Sequence, residues 1–205
     1  MLWLFSGLGA DHRLYRHLQL PEQHQHAAWT DFRDCRTMAS FVARARELGL
    51  SDGDLICGSS FGGMLALECS QTIDLAGILL LGSAMHPREI NQFALRGGHF
   101  LRAMSGADAQ RLVRPFIHIG PRQLAAEMFV DGDERAMRSM FQAILTWKGA
   151  QPRCPWRRVH GRFDPVIPMR PGQRYHRVVN AAHLVALSEP GVCQQELERL
   201  LGLAR

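Results

Sequence analysis

The sequence lacks the features that mark several classes of protein. No apolar run approaches the roughly 18 residues of a membrane-spanning helix. The five cysteines are odd in number and contain no C-x-x-C pair, which argues against a disulfide framework and favours a reducing compartment. The ten histidines show no H-E-x-x-H or similar metal-ligand spacing. We therefore expect no metal. Because Gly7-Leu8-Gly9 is not followed by the third glycine of a dinucleotide-binding loop, we also expect no nucleotide cofactor.

Lysine is almost absent as well. Among 24 basic side chains only Lys148 is a lysine, and with 19 acidic side chains the formal net charge is +5. The arginines are scattered along the chain, so we expect no nucleic-acid binding. The composition, 46% hydrophobic and 21% charged in 205 residues, is typical of one soluble globular domain. The apolar start at residues 1–5 has no positively charged segment before it, which predicts a buried strand, not a signal peptide, and a cytoplasmic protein.

The most informative positive feature is G-S-S-F-G-G at residues 58–63, directly after the apolar run at residues 55–57. This is G-x-S-x-G at the end of a predicted strand, the pattern of a nucleophile elbow. The turn is so tight that small residues are needed two positions before and two after the serine. Only Ser60 satisfies that requirement, because Ser59 would be flanked by Cys57 and Phe61.

An acid and a histidine follow in the order that a serine nucleophile needs. A predicted strand at residues 156–160 leads into a turn that carries Asp164. His183 follows in a small-residue loop before an amphipathic segment. A serine hydroxyl needs a base within hydrogen-bond reach, and that base needs an acid to orient it. The order Ser60, Asp164, His183 therefore predicts a catalytic triad at the edge of an open α/β sheet.

These motifs together resemble the α/β-hydrolase superfamily, over nearly the whole chain. H-G-x-x-D-x-x-I-P at residues 160–168 is similar to the family's signature around the acid, and residues 182–190 resemble its histidine-containing ending. Residues 2–10 resemble the strand and loop that carry H-G-x-G, although Ser6 stands where the family usually has histidine. The resemblance implies an oxyanion hole made by the backbone N–H groups of Leu8 and Phe61.

The resemblance also implies a mostly parallel sheet of about six strands that lacks the family's first two. The pattern predicts these strands at residues 2–6, 27–31, 54–58, 76–82, 156–160 and 177–181. Helices are predicted at residues 37–48, 61–70 and 184–203, the last one split by Pro190. Alternating strands and helices favour parallel pairing with right-handed crossovers.

The long connection between the fourth and fifth strands predicts substructure of its own. Residues 83–155 form a helical lid in this interpretation, inserted into a core of residues 1–82 and 156–205. Helices are predicted near residues 88–104, 107–118, 121–130 and 133–147, the last burying a set of apolar side chains: Met137, Met140, Phe141, Ile144 and Leu145. The arginines between Arg88 and Arg138 are candidates for binding an acidic substrate tail, with a solvated basic surface as the alternative.

The predicted function is that of a serine hydrolase that cleaves an ester or thioester of a small carboxylic acid through an acyl-enzyme. Its partner is then a small-molecule acyl substrate, and the sequence does not indicate an oligomeric state. Similar triads serve carbon–carbon hydrolases and cofactor-free lyases, including one of menaquinone synthesis. A pimeloyl-carrier-protein methyl esterase is a further possibility, given the arginines of the lid. A non-catalytic ligand-binding member of the family is an alternative from a different class.

Overall fold

The structure, a computed structural model, describes residues 1–91 and 121–202, with side chains from residue 123 onward in the second range. Six strands form one sheet: β1 Leu2–Phe5, β2 His24–His26, β3 Leu55–Ser59, β4 Gly77–Leu81, β5 Trp156–Gly161 and β6 Arg177–Val179. Their order is β2-β1-β3-β4-β5-β6, and every neighbouring pair is parallel. All carboxyl ends therefore lie at one edge of the sheet, where ligands bind in folds of this class.

Helices cover both faces of the sheet. The described helices are α1 Met38–Glu47, α2 Phe61–Cys69, α3 Pro121–Asp131, α4 Glu134–Thr146, α5 Val185–Ser188 and α6 Pro190–Leu200. Alternate side chains of the strands enter two separate cores, as the two-residue repeat of a strand requires. Trp3, Ile56 and Leu80 lie in the core that includes α1 and α2, and Leu4 and Leu79 lie in the core on the other face, with α6.

Five of the six predicted strands are confirmed to within two residues at each end, and the prediction at residues 27–31 is wrong. The strand at this place is His24–His26, and Trp29–Phe32 form a 3₁₀ helix. The apolar pattern at Trp29 and Phe32 reflects packing in the core, where their rings contact each other and Phe41, and does not reflect strand pairing. The actual edge strand contains three polar residues, so its hydropathy gives no strand signal.

The helix predictions outside the insertion are confirmed, including the division of the C-terminal segment at Pro190. In the insertion, α3 and α4 confirm the helices predicted at 121–130 and 133–147. The helix predicted at 107–118 lies outside the described residues, as does most of the one at 88–104. Where the latter was predicted to begin, Pro87–Glu89 form a short 3₁₀ helix, after which Ile90 is extended. Leu145, which periodicity places on the buried face of α4, is 39% exposed.

Charged side chains connect α3 and α4 to the core. Arg13 pairs with Asp131 at 2.8 Å and Arg33 with Asp133 at 2.5 Å, and Arg135 pairs with Asp34. Each side supplies both signs of charge, since two of the arginines and one of the aspartates belong to the core. No helix among residues 1–91 and 121–202 combines the length and apolarity needed to cross a membrane.

Candidate active site

Ser60 stands on a strained turn between β3 and α2. Its φ of +50° is positive, and no other non-glycine residue in the described parts of the chain has a positive φ. A side chain at Gly58 would place its Cβ only 2.5 Å from the carbonyl oxygen of Gly62, and one at Gly62 would overlap the carbonyl of Phe5. The glycines on both sides are therefore a steric requirement of the turn, as the motif predicts for Ser60 and not for Ser59.

The fold brings the three predicted residues into one chain of hydrogen bonds. His183 Nε2 lies 3.0 Å from Ser60 Oγ, and His183 Nδ1 lies 2.8 Å from Asp164 Oδ2. A carboxylate oxygen only accepts, so Nδ1 carries the proton and Nε2 is left to accept from the serine hydroxyl. Asp164 follows β5 and His183 follows β6, so both reach Ser60 at the carboxyl edge of the sheet.

The carboxylate of Asp164 is fully buried and fixed at both oxygens. Its Oδ1 accepts hydrogen bonds from the backbone N–H groups of Val166 and Ile167, each at 2.9 Å, which leaves Oδ2 for His183. Burial alone would raise the pKa of Asp164, but the hydrogen bond from His183, the charge of that ring and the Ile167 N–H outweigh it and lower the pKa. Asp164 is therefore an anion that can orient a histidine and stabilise its protonated form.

His160 supports the turn that carries the acid. Its ring is fully buried, and its Nε2–H donates to the carbonyl of Ile167 at 2.7 Å, while Nδ1 has no hydrogen-bond partner. Burial lowers the pKa of His160 below its ordinary value. His160 is thus part of the packing beneath the acid turn, and its hydrogen bond to that turn could not be inferred from spacing.

The loop expected to supply one oxyanion donor lies against the nucleophile. A Cβ built on Gly7 would be 3.0 Å from Ser60 Cβ and 3.7 Å from Ser60 Oγ, and Leu8 is the next residue. Phe61 is the first residue of α2, where backbone N–H groups have no partner within the helix. Ser6 closes the loop by donating its hydroxyl proton to the carbonyl of Ala10 at 2.7 Å. The hydroxyl of Ser6 thus closes this loop, with a serine where the resemblance led us to expect a histidine.

Two of the arginines considered for an acidic substrate already have acidic partners. Arg135 pairs with Asp34 and Arg138 with Glu134, and all four side chains are about half exposed or more. Arg88 is exposed on the short 3₁₀ helix. The described half of the insertion therefore does not present a cluster of unpaired arginines. The other arginines of this range lie outside the described side chains.

Comparison with known proteins gives no match to a protein-family model and none to a curated protein sequence. Solved structures do match. An esterase from Thermogutta terrifontis with malate bound has a TM-score of 0.69 at 16% identity, covering 100% of this chain and 90% of its own. A hydrolase from Oleispira antarctica has a TM-score of 0.73 at 12% identity, with 98% and 90% covered. An N-acyl homoserine lactonase complexed with N-hexanoyl homoserine has a TM-score of 0.68 at 18% identity, with 98% and 87% covered.

These similarities extend over almost the whole of this chain and of each solved structure. They agree with the parallel six-stranded sheet and its covering helices. At these identities the comparisons identify the architecture. The chain has the α/β-hydrolase fold.

Proposed function

We propose that the protein is a serine hydrolase that cleaves a carboxylic ester or thioester of a small acid. The observation that carries this proposal is the continuous hydrogen-bonded chain from Asp164 through His183 to Ser60 Oγ. It supplies a nucleophile, a base and an acid that orients the base, in the geometry that acyl transfer requires. The helices α3 and α4 belong, in this proposal, to a lid of residues 83–155 over the site.

The first half of the reaction forms an acyl-enzyme. His183 Nε2 takes the proton of Ser60 while Oγ attacks the carbonyl carbon of the substrate. Asp164 holds the imidazole in position and stabilises its cationic form. His183 then gives its proton to the leaving alcohol or thiol as the carbon–oxygen or carbon–sulfur bond breaks. In the second half a water molecule, deprotonated by His183, releases the acid and restores Ser60.

The negative charge of each tetrahedral intermediate needs donors that are already in place. The N–H groups of Leu8 and Phe61 are the proposed pair, one from the loop beside Gly7 and one from the start of α2. The helix dipole of α2 adds a favourable potential at the same point. Removal of one such donor costs about 3–4 kcal/mol of transition-state stabilisation in other enzymes.

A lactone is a second candidate substrate class. A cyclic ester passes through the same acyl-enzyme, its leaving alcohol staying attached to the acyl group. One of the similar solved structures is an N-acyl homoserine lactonase, which motivates including lactones with open esters among the substrates tested. Ser60, His183 and Asp164 have the same proposed roles for lactones and for open esters.

Turnover of p-nitrophenyl esters of graded chain length, with fluorophosphonate labelling of the purified protein, tests the proposal. We expect steady release of p-nitrophenol and covalent labelling, both abolished by Ser60→Ala. Ser59→Ala is the matched control, because Ser59 is a buried neighbour that ends β3, and it should keep substantial activity. Absence of both turnover and labelling in the wild-type protein would indicate a binding protein. Labelling that survives Ser60→Ala and is lost in Ser59→Ala would refute the assignment of the nucleophile.

A further inference from the structure

Arg158 is an unusual residue for the middle of a parallel sheet. Its side chain, on β5, is fully buried. Its Nη2 donates to Glu89 Oε2 and to the carbonyl oxygen of Ser83, both at 2.6 Å. Its Nη1 donates to Gln173 Oε1 at 2.9 Å, and the guanidinium lies 4.5 Å from the centre of the Tyr175 ring. The group is therefore held on several sides by segments that are distant in the sequence.

Stability is a weak explanation for this ion pair. Moving two charges out of water is costly, and well-packed apolar side chains of similar volume often replace a buried pair with no loss of stability. Glu89 is as inaccessible as Arg158, with 3% of its side chain exposed. The pair is therefore better explained by the position of the groups that it holds.

Those groups form the turn that follows β4. Ser83 is fully buried, and its hydroxyl donates to the backbone carbonyl of Ser60 at 2.7 Å. The preceding residue, Gly82, has a φ of +51°, and a Cβ there would lie 2.5 Å from the carbonyl oxygen of His183. The turn thus touches the backbones of both the nucleophile and the base.

Glu89 fixes the other end of the same segment. Its Oε1 accepts a hydrogen bond from the backbone N–H of Met85 at 3.0 Å, while its Oε2 binds Arg158. The ion pair therefore connects β5, which leads to Asp164, with the segment from Ser83 to Glu89. A displacement of this segment would move Ser60 relative to His183, and small errors in such a distance reduce the rate strongly.

We propose that Arg158, together with Glu89, is a positioning residue that holds the Gly82–Ser83 turn against Ser60 and His183 and so sets the distance between nucleophile and base. This rests on the proposed function, since it concerns the alignment of the same site. Arg158 itself does not contact the reacting atoms. It acts on Ser60 through the carbonyl and the hydroxyl of Ser83.

The test replaces both charges at once, in an Arg158→Met/Glu89→Met variant, so that no buried charge is left unpaired. The variant leaves the Ser83 carbonyl and the Met85 N–H without these partners, so we expect a lowered thermal unfolding midpoint in a protein that remains folded. The rate constant for fluorophosphonate labelling of Ser60 and kcat should both fall by about tenfold or more, with KM changed by less than about twofold. Arg157→Met is the matched control, because Arg157 is the adjacent residue of β5 and faces Glu196 on the opposite side of the sheet. It should label at the wild-type rate.

A folded double variant that labels at the wild-type rate would overturn the proposal while leaving the proposed function intact. Failure of the wild-type protein to label would refute the proposed function and this inference with it. If the double variant does not fold, Arg158→Lys decides the question. Its single ammonium keeps a charge beside Glu89 but cannot reproduce the planar fork that Arg158 places on Glu89 and Ser83. We expect a folded protein with a slower labelling rate, and an unchanged rate in it would refute the proposal.

Discussion

The indole N–H of Trp29 donates to Ser6 Oγ at 2.6 Å, and that hydroxyl donates in turn to the carbonyl of Ala10. A residue of the 3₁₀ helix beyond β2 is thereby linked to both ends of the loop that contains Leu8. Trp29 is nearly buried and Ser6 is 3% exposed, so neither group can exchange its partner for bulk water. The serine in this position has a defined structural role in the proposed oxyanion loop.

Ser6→Ala should therefore destabilise the protein and slow its reaction. It leaves the Trp29 N–H and the Ala10 carbonyl without this hydroxyl, at a cost of about 1–3 kcal/mol in the free energy of unfolding. Displacement of Leu8 should lower kcat more than it changes KM. Denaturant unfolding and ester kinetics measure the two effects. In the background of Trp29→Phe, which has no indole N–H to satisfy, the same Ser6→Ala change should cost less stability, and an equal cost in both backgrounds would contradict this account.

Asp164→Asn should keep the fold and lower kcat by on the order of 10³–10⁴-fold. Because Val166 and Ile167 donate to Oδ1, the asparagine will place its carbonyl oxygen there and its NH₂ group towards His183. Nδ1 must then accept, which puts the proton on Nε2 and prevents that nitrogen from accepting the proton of Ser60. Steady-state kinetics on p-nitrophenyl esters measures the loss. Asp131→Asn removes a carboxylate from an exposed ion pair with Arg13 and serves as the control, in which kcat should not change. Near-normal turnover in Asp164→Asn would mean that another group orients His183.

His160 should make the folded protein sensitive to mild acid. Its pKa is lowered by burial, so below about pH 6.5 the unfolded chain binds a proton that the folded chain excludes. The free energy of unfolding therefore falls as the pH decreases from about 6.5 towards the folded pKa, and one such group contributes at most about 1.4 kcal/mol per pH unit. Partial burial also lowers the pKa of His26 and of His176, so both histidines contribute to the pH dependence with the same sign.

His160→Gln separates this contribution from the others. Its amide can donate to the Ile167 carbonyl as Nε2–H does now, but it does not titrate. The dependence of unfolding on pH between 7.5 and 5, measured with denaturant, should become shallower than in the wild type by about one proton's contribution. Equal slopes in the wild type and His160→Gln would show that His160 accepts a proton in the folded state.

Arg135 and Arg138 should not contribute to recognition of an acidic substrate. Both are exposed and paired with acidic side chains. We expect Arg135→Gln and Arg138→Gln to leave unchanged the ratio of kcat/KM for a dicarboxylic mono-ester to that for the matching neutral ester. A lower ratio in either variant would assign that residue to substrate binding. If the wild type prefers the charged ester and the preference weakens with salt, a cationic side chain other than Arg135 and Arg138 carries it.

The sequence predicted the candidate site better than the groups that hold it. Ser60, Asp164 and His183 each lie in a short motif, so neighbouring residues were sufficient to find them. Gly58 is required by the turn at Ser60, and Gly161, before Asp164, has no room for a Cβ because the carbonyl of Ala182 lies against it. The contacts of Arg158 join β5 to residues 69 and 75 positions earlier in the chain, and no local pattern encodes them.

The same distinction explains the errors in the fold. β2 is a polar edge strand whose only described neighbour is β1, so its pairing is determined by its partner and not by its own hydropathy. Leu145 lies at the margin of the apolar face of α4 and is exposed, although Ala143 and Trp147, before and after it in the chain, are buried. Periodicity gives the orientation of a face, and only the tertiary structure determines how wide a part of that face is buried.

The sheet order has a consequence for how the chain folds. β1, β3 and β4 pair within the first 81 residues, whereas β5 joins β4 only after about 75 intervening residues have been accommodated. Closing the longer loop costs more chain entropy and is expected to come later. Ser60 belongs to the part that forms early, and Asp164 and His183 arrive with the later strands. In a partly folded chain Ser60 would therefore be unreactive. The appearance of fluorophosphonate labelling during refolding would indicate that β5 and β6 have joined the sheet.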